Sequence, residues 1–177
     1  MAIFERNKKI KKTMSDIRIG QGYDVHKLAE GETLTLCGIK IDYHKGTVAH
    51  SDGDVAIHAL CDAILGALAL GDIGQHFPDT SDKFKNIDST ILLTEVMKMI
   101  NTRGYILGNA DITLVLEEPK MRPHIMAMRA RLAPLLATDT SRISIKATTT
   151  EHLGFTGRGE GIAAYATVLL FQKTTER

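Results

Sequence analysis

At 100° of turn per residue, Ala56, Ala59, Leu60, Ala63, Ile64 and Ala67 gather into a single stripe, so this stretch folds as a helix with one side laid against a second layer. The helix is expected over residues 53–70, with Ser51 or Asp52 as its N-cap and Gly71 just past its end. A second helical pattern covers residues 88–103 and stops at Gly104. A third covers 124–137, where Pro134 kinks or shortens it. Alternation with a period of two marks strands over residues 17–23, 109–117, 142–147 and 161–171, and Leu34–Leu36 with Ile39–Ile41 reads as a hairpin turning at Cys37 and Gly38. These elements follow one another without a strict βα repeat or a fixed internal period. The expected architecture is a two-layer α+β domain with helices on one face of a mixed sheet.

With 177 residues, 44% hydrophobic and 24% charged, one compact domain over residues 17–177 is expected. A chain of this length buries roughly 70% of its unfolded surface without staples, so a metal in it would serve function before structure. Residues 1–16 carry Lys8, Lys9, Lys11 and Lys12 without a periodic apolar face. They read as a disordered basic tail, with a polyanion-binding arm as the functional alternative. The net charge is +1, but residues 1–18 hold six Lys/Arg against two acids, which leaves 16 basic and 19 acidic residues in the remainder. Such a body is not a nucleic-acid surface. Cys37 and Cys61 make neither a disulfide framework nor a zinc ribbon. No apolar run approaches the ~20 residues of a membrane-spanning helix, and no signal-peptide region follows Met1. The chain reads as cytoplasmic, without a membrane partner.

His58 points away from the apolar stripe, with Asp54 and Asp62 four residues to either side on its face. A solvated polar face is one reading. The other is a partly buried carboxylate-flanked seam, because Val55, Ile57, Cys61 and Leu65 border it. Asp24 and His26 close the first strand on one face of it. They are either a strand-end ion pair or, with His58, the one-carboxylate, two-imidazole set of an open zinc site. In the second reading Asp54 and Asp62 orient His58. His50 and Ser51 lead into the helix, where a phosphate meets N–H groups, a hydroxyl and an imidazole. Residues 148–161 combine Thr148, Thr149, Thr150, Glu151 and Arg158 with four glycines, either a turn between strands or an approach to an anionic ligand.

Five ordered motifs, RIGQGYDVH at 18–26, AHSDGDVAIHAL at 49–60, LGDIGQHFPDT at 70–80, PKMRPH at 119–124 and KATTTEHLGFTGRGEG at 146–161, closely resemble the 2-C-methyl-D-erythritol 2,4-cyclodiphosphate synthase family. The resemblance runs from about residue 17 to 172. It implies a homotrimer of ferredoxin-like subunits with active sites at subunit interfaces. It also implies zinc held by Asp24, His26 and His58, and a second cation, Mg2+ or Mn2+, held with help from Glu151. His50 and Thr149 are then catalytic. The implied substrate is a cytidine diphosphate ester of methylerythritol 2-phosphate, cyclised with release of CMP.

Family binding positions fall on Asp24, Val25 and His26; His50 and Ser51; Asp72, Ile73 and Gly74; and Phe77, Pro78, Asp79, Thr80 and Ser81. They continue on Leu116, Glu117, Glu118, Pro119, Lys120, Met121 and Arg122; Thr148, Thr149, Thr150 and Glu151; and Phe155 and Arg158. Ser81 stands where the family loop often has Asp, and Leu116, Glu117 and Glu118 where it often has small residues. Arg158 and Glu160 can instead line the threefold cavity. Sixteen residues are too few for a preceding nucleotidyltransferase, so a two-enzyme fusion is not expected. A zinc-dependent phosphate-ester hydrolase and a non-catalytic trimer binding isoprenoid phosphates are the alternatives.

Overall fold

The structure, a computed structural model, describes residues 16–78 and 86–173. In chain order the strands and helices are β1 (Ile17–Glu30), β2 (Leu34–Leu36), β3 (Ile39–Ile41), β4 (Lys45–Val48), α1 (Val55–Ala67), α2 (Ile73–His76), α3 (Ser89–Thr102), β5 (Tyr105–Val115), α4 (Ile125–Leu135), β6 (Ile143–Thr148), α5 (Gly154–Gly157) and β7 (Gly161–Gln172). A 3₁₀ turn, Thr140–Arg142, enters β6. Five strands form one sheet in the order β4-β1-β7-β5-β6, and β2 and β3 form a separate hairpin. Among the described residues only β5 and β6 run parallel; the other pairs are antiparallel.

Burial alternates along the central strands. In β1, Gly20, Gly22 and Leu28 are buried while Ile17, Ile19, Tyr23 and Val25 are exposed, and β7 buries Ala164, Ala166, Val168 and Leu170 while exposing Tyr165. The buried face carries α1, which packs on β1 and β7, and α4, which packs on β6; α3 lies against α1. The expected two-layer arrangement therefore holds, with a mixed sheet and helices on one face. The expected ferredoxin-like connectivity does not. The principal elements run β1-α1-α3-β5-α4-β6-β7, a βαβαββ order, whereas a ferredoxin-like chain runs βαββαβ. The strand periods carried no information on which strands are consecutive, and the parallel β5–β6 pair requires the α4 crossover.

The layers touch most closely where β1 passes under α1. A Cβ at Gly20 would overlap the Ala63 carbonyl oxygen, and one at Gly22 the Ala59 carbonyl oxygen. The small residues of the α1 stripe therefore meet glycine backbone, which sets the register of helix against strand. Almost every α1 side chain is buried, including Val55, Ile57, Cys61 and Leu65 on its other side, because α3 and the β2–β3 hairpin cover what the sheet does not.

Several boundaries move from their expected places. The first strand continues four residues past His26. The α1 helix starts at Val55 and is capped by Asp54, not by Ser51 or Asp52, because Gly53 (φ +68°) stands in the left-handed region and interrupts the helix. The Asp54 carboxylate accepts from Ile57 N (3.0 Å), Cys37 N (2.9 Å) and Gly38 N (2.6 Å). Cys37 (φ +54°) and Gly38 (φ +72°) form the left-handed two-residue turn of the hairpin, so one fully buried carboxylate holds both the helix cap and a strained turn. Burial pushes the Asp54 pKa up to about 6, against the opposing pull of its three N–H donors. Replacing Asp54 by alanine orphans those donors and is expected to cost about 2–4 kcal/mol of stability. Urea unfolding checks this, and a loss below about 0.5 kcal/mol contradicts it.

Asp16, expected in the tail, belongs to the body: its carbonyl accepts from Gln172 N (3.0 Å) and its carboxylate from Tyr105 OH (2.7 Å). Residues 1–15, where the disordered tail was expected, lie outside the described residues, as do 174–177. No helix among the described residues is long and apolar enough to cross a membrane.

Candidate metal centre and active site

The contact of Gly22 with Ala59 places the neighbouring side chains. Two residues along β1 from Gly22, Asp24 lies on the same helix-covered face, with His26 two further on; His58 precedes Ala59 on α1. The three side chains meet. Asp24 Oδ2 stands 3.0 Å from His58 Nδ1 and 3.2 Å from His26 Nε2, and the two nitrogens are 3.0 Å apart. The imidazole planes cross at 86°.

This triangle fits a small divalent ion. Ligand atoms bonded to a tetrahedral ion at about 2.0–2.1 Å stand about 3.3 Å from one another, so the group needs to open only by tenths of an ångström. The set is also of the right type, two borderline nitrogens and one hard oxygen. Without an ion, burial would raise the Asp24 pKa, but the His58 hydrogen bond and the His26 charge hold it below the ordinary value. Burial would likewise depress His58, yet Asp24 beside it more than offsets this and its pKa stands above the ordinary value. His26 is pushed down by burial, which the Asp24 charge does not overcome. The Asp24 carboxylate and the His58 imidazole thus favour each other's charged forms, and a divalent cation entering there would compete with the proton.

The expected orienting role of Asp54 and Asp62 is not observed. Asp54 turns to the hairpin, and Asp62 accepts from Ile73 N (2.7 Å) at the start of α2. Four residues of helix place both beside His58 in projection, but each carboxylate is drawn to backbone donors in a different segment. The far nitrogen of His58, Nε2, is met instead by Ser89 Oγ (2.9 Å) and Ser51 Oγ (3.2 Å). Ser89 opens α3 and is fully buried; it was missed because its sequence position reads as an ordinary helix start next to Asp88.

Beside the triad lies a cavity of about 430 Å³, lined by His26, His50, Ser51, His58, Ile73, Gly74 and Phe77 among others. It gathers the imidazole and hydroxyl of the 50–51 segment with part of the 72–77 loop. Asp72 caps α2 through Gln75 N (2.9 Å). Pro78 is exposed, and Asp79, Thr80 and Ser81 lie outside the described residues.

The remaining expected site residues are elsewhere on the chain. A second depression of about 180 Å³ is lined by Leu116, Glu117, Pro119, Lys120, Met121, Arg122, Thr148 and Thr149. At its rim Thr149 Oγ1 donates to Glu151 Oε1 (3.0 Å), while Thr150 Oγ1 donates to the Leu153 carbonyl (2.6 Å). Glu118 lies between Glu117 and Pro119 at this same segment. Val25 points to the opposite sheet face from Asp24 and, with Phe155 and Glu160, borders a third hollow. Arg158 is held by Glu160 through two contacts, Nε to Oε1 at 2.8 Å and NH2 to Oε2 at 3.0 Å. A single chain therefore brings together the triad, His50, Ser51 and the 73–77 loop, but presents residues 116–122 and 148–149 in a separate depression.

The chain matches the model of the YgbB family over residues 17–171. It is 59% identical over 155 residues to the 2-C-methyl-D-erythritol 2,4-cyclodiphosphate synthase of Pseudoalteromonas atlantica, covering 88% of this chain and 96% of that one. Among solved structures it is similar to the bifunctional IspDF of Campylobacter jejuni, with a TM-score of 0.86 and 45% identity over 90% of this chain; the match spans only 43% of that longer protein. It is similar also to IspF of Plasmodium falciparum in a CDP complex, with a TM-score of 0.80 and 38% identity, covering 92% of this chain and 100% of that one.

Proposed function

The chain belongs to the YgbB family of 2-C-methyl-D-erythritol 2,4-cyclodiphosphate synthases, and from that premise we propose how its residues divide the reaction. It is an enzyme of isoprenoid precursor synthesis that forms a cyclic diphosphate. An oxygen of the 2-phosphate of 4-diphosphocytidyl-2-C-methyl-D-erythritol 2-phosphate attacks the β-phosphorus. The bond from that phosphorus to the oxygen bridging it to the α-phosphorus breaks, and CMP leaves with that oxygen. A phosphate monoester is mostly ionised at neutral pH, its second pKa being about 6, so the attack needs no strong base. The barrier lies in bringing two anions together, which makes positioning and neutralisation of charge the work of the protein.

Asp24, His26 and His58 would hold zinc, and the mutual spacing of their three ligand atoms is the observation that carries this assignment. Zinc there supplies Lewis-acid neutralisation of the β-phosphate. Glu151 would help hold a second divalent ion, Mg2+ or Mn2+, that neutralises phosphate charge. Ser51 and His50 receive phosphate oxygens at the mouth of the cavity; Ile73, Gly74 and Phe77 enclose the methylerythritol part. Asp72, Pro78, Asp79, Thr80 and Ser81 complete that loop. The depression formed by Leu116, Glu117, Pro119, Lys120, Met121 and Arg122 takes the cytosine, with Thr148, Thr149 and Thr150 beside the phosphates.

Because metal cavity and base depression are separate on one chain, the working site is composite, made by neighbouring subunits of a homotrimer. The uncovered sheet face supports that assembly. It exposes Ile17, Ile19, Tyr23, Val25, Ile106 and Tyr165, with the Tyr23 and Tyr165 rings 4.8 Å apart and tilted by 41°, an apolar area that a second copy would cover.

The test gives the purified chain the cytidylyl substrate and follows the products by phosphorus NMR. Stoichiometric CMP and cyclic diphosphate are expected, lost on chelation and restored by zinc. Linear phosphate products or turnover indifferent to chelator would overturn the reading.

A further inference from the structure

His58 has two ring nitrogens, and the structure surrounds them differently. Nδ1 faces Asp24 and His26; Nε2 faces Ser89 Oγ at 2.9 Å. Ser89 has no freedom in what it offers. Its backbone N–H donates to Asp52 Oδ2 (3.1 Å) and its hydroxyl donates to Asp52 Oδ1, so the proton of the hydroxyl is committed and only an oxygen lone pair remains for the imidazole. With a metal on Nδ1 the ring proton stands on Nε2, and that lone pair is its acceptor. Asp52 is itself fixed, its Oδ1 accepting from Asp54 N (3.3 Å) and its N–H donating to the Ile87 carbonyl (3.1 Å). Ser51 Oγ, at 3.2 Å from Nε2, already accepts from Gly53 N and is the weaker partner.

We infer that Ser89 and Asp52 are positioning residues that receive the Nε2 proton of a metal-bound His58 and thereby raise the metal affinity of the triad. The inference rests on the reading that the triad holds a metal. Its physical basis is the general one for metal-bound imidazoles: a partner on the second nitrogen orients the ring and raises the basicity of the first. Here the carboxylate acts through a hydroxyl, and the hydroxyl belongs to a different helix from the histidine. Docking of α3 on α1 thus completes the metal centre, which ties a packing contact to a chemical property.

A purely structural role for Ser89, as the residue that seats α3, predicts changed stability and nothing more. The experiment separates the two. The zinc-loaded full chain, labelled with nitrogen-15 in its histidines, is observed by nitrogen–proton NMR. Zinc affinity is measured in parallel by competition with a chromophoric chelator. In wild type the Nε2 proton of His58 should be protected from exchange with water. Ser89→Ala should expose it to exchange and weaken zinc binding about 10- to 100-fold, Asp52→Asn should do the same to a lesser degree, and Ser89→Thr, which keeps the hydroxyl, should retain both readouts. A wild-type Nε2 proton that exchanges freely overturns the inference without any variant, which keeps it testable if Ser89→Ala does not fold. So does a folded Ser89→Ala whose exchange and affinity match wild type. A wild type that binds no zinc at Asp24, His26 and His58 overturns the metal reading instead.

Discussion

Gly22→Ala is expected to unfold this protein or leave it too unstable to purify at ordinary temperature. The added methyl would overlap the Ala59 carbonyl oxygen and crowd the Ala63 nitrogen, both backbone atoms of α1, so no rotamer change relieves it. Helix and strand must separate, and α1 makes the largest set of helix contacts with the sheet. Prising it off loosens packing around Leu60, Ile64 and the alanines of β7. A cost of at least about 4 kcal/mol is expected, a large part of the whole stability of an ordinary domain. Circular dichroism against urea measures it, with Gly31→Ala as the control. Gly31, unlike Gly22, has positive φ (+77°), but nothing lies within 4 Å of its would-be Cβ, so only the modest backbone term applies there. Equal losses in the two variants would mean that close approach is not what requires glycine at position 22.

His58→Ala is expected to lose bound zinc and activity together. The substitution removes one of three candidate ligands and leaves Asp24 as a partly buried carboxylate without its His58 hydrogen bond. Activity should fall by at least about 10³-fold, since the charge to be neutralised at the β-phosphate is left unscreened in a partly dry site. The fold should persist, because the imidazole sits at the edge of the core and the α1 stripe beneath it is untouched. Full zinc content by elemental analysis in a folded variant would refute the assignment of this ligand.

The parts of this arrangement that were readable in advance are those with a local period. Asp24 and His26 are two residues apart on a strand, and His58 faces away from a small-residue stripe, so their sides could be assigned without any knowledge of topology. What joined them, the contact of Gly22 with α1, is a long-range packing event with no periodic trace. The same limit explains the errors. Asp54 and Asp62 share a helix face with His58, yet each carboxylate answers to a backbone segment that only the folded chain brings near, the Cys37–Gly38 turn and the start of α2. Ser89, 31 residues beyond His58, had no local reason to be chosen. Connectivity was misjudged for a related reason: strand patterns report which face is buried, not which strands adjoin.

The division of the site follows from the fold as well. The metal cavity forms where β1 meets α1, while Leu116 and the residues after it continue β5 beyond its pairing with β6, toward Thr148 and Thr149. The proposed composite site between copies would bring the two together. The intact sheet face on the far side of the helices is the surface on which such copies would meet.

Anomalous diffraction from crystals of the zinc-loaded chain, recorded on both sides of the zinc absorption edge, addresses the central claim without reference to activity. The account predicts one strong site per chain within about 2.0–2.2 Å of Asp24 Oδ2, His26 Nε2 and His58 Nδ1. A zinc peak bound elsewhere, with these three atoms left hydrogen-bonded to one another, would contradict it.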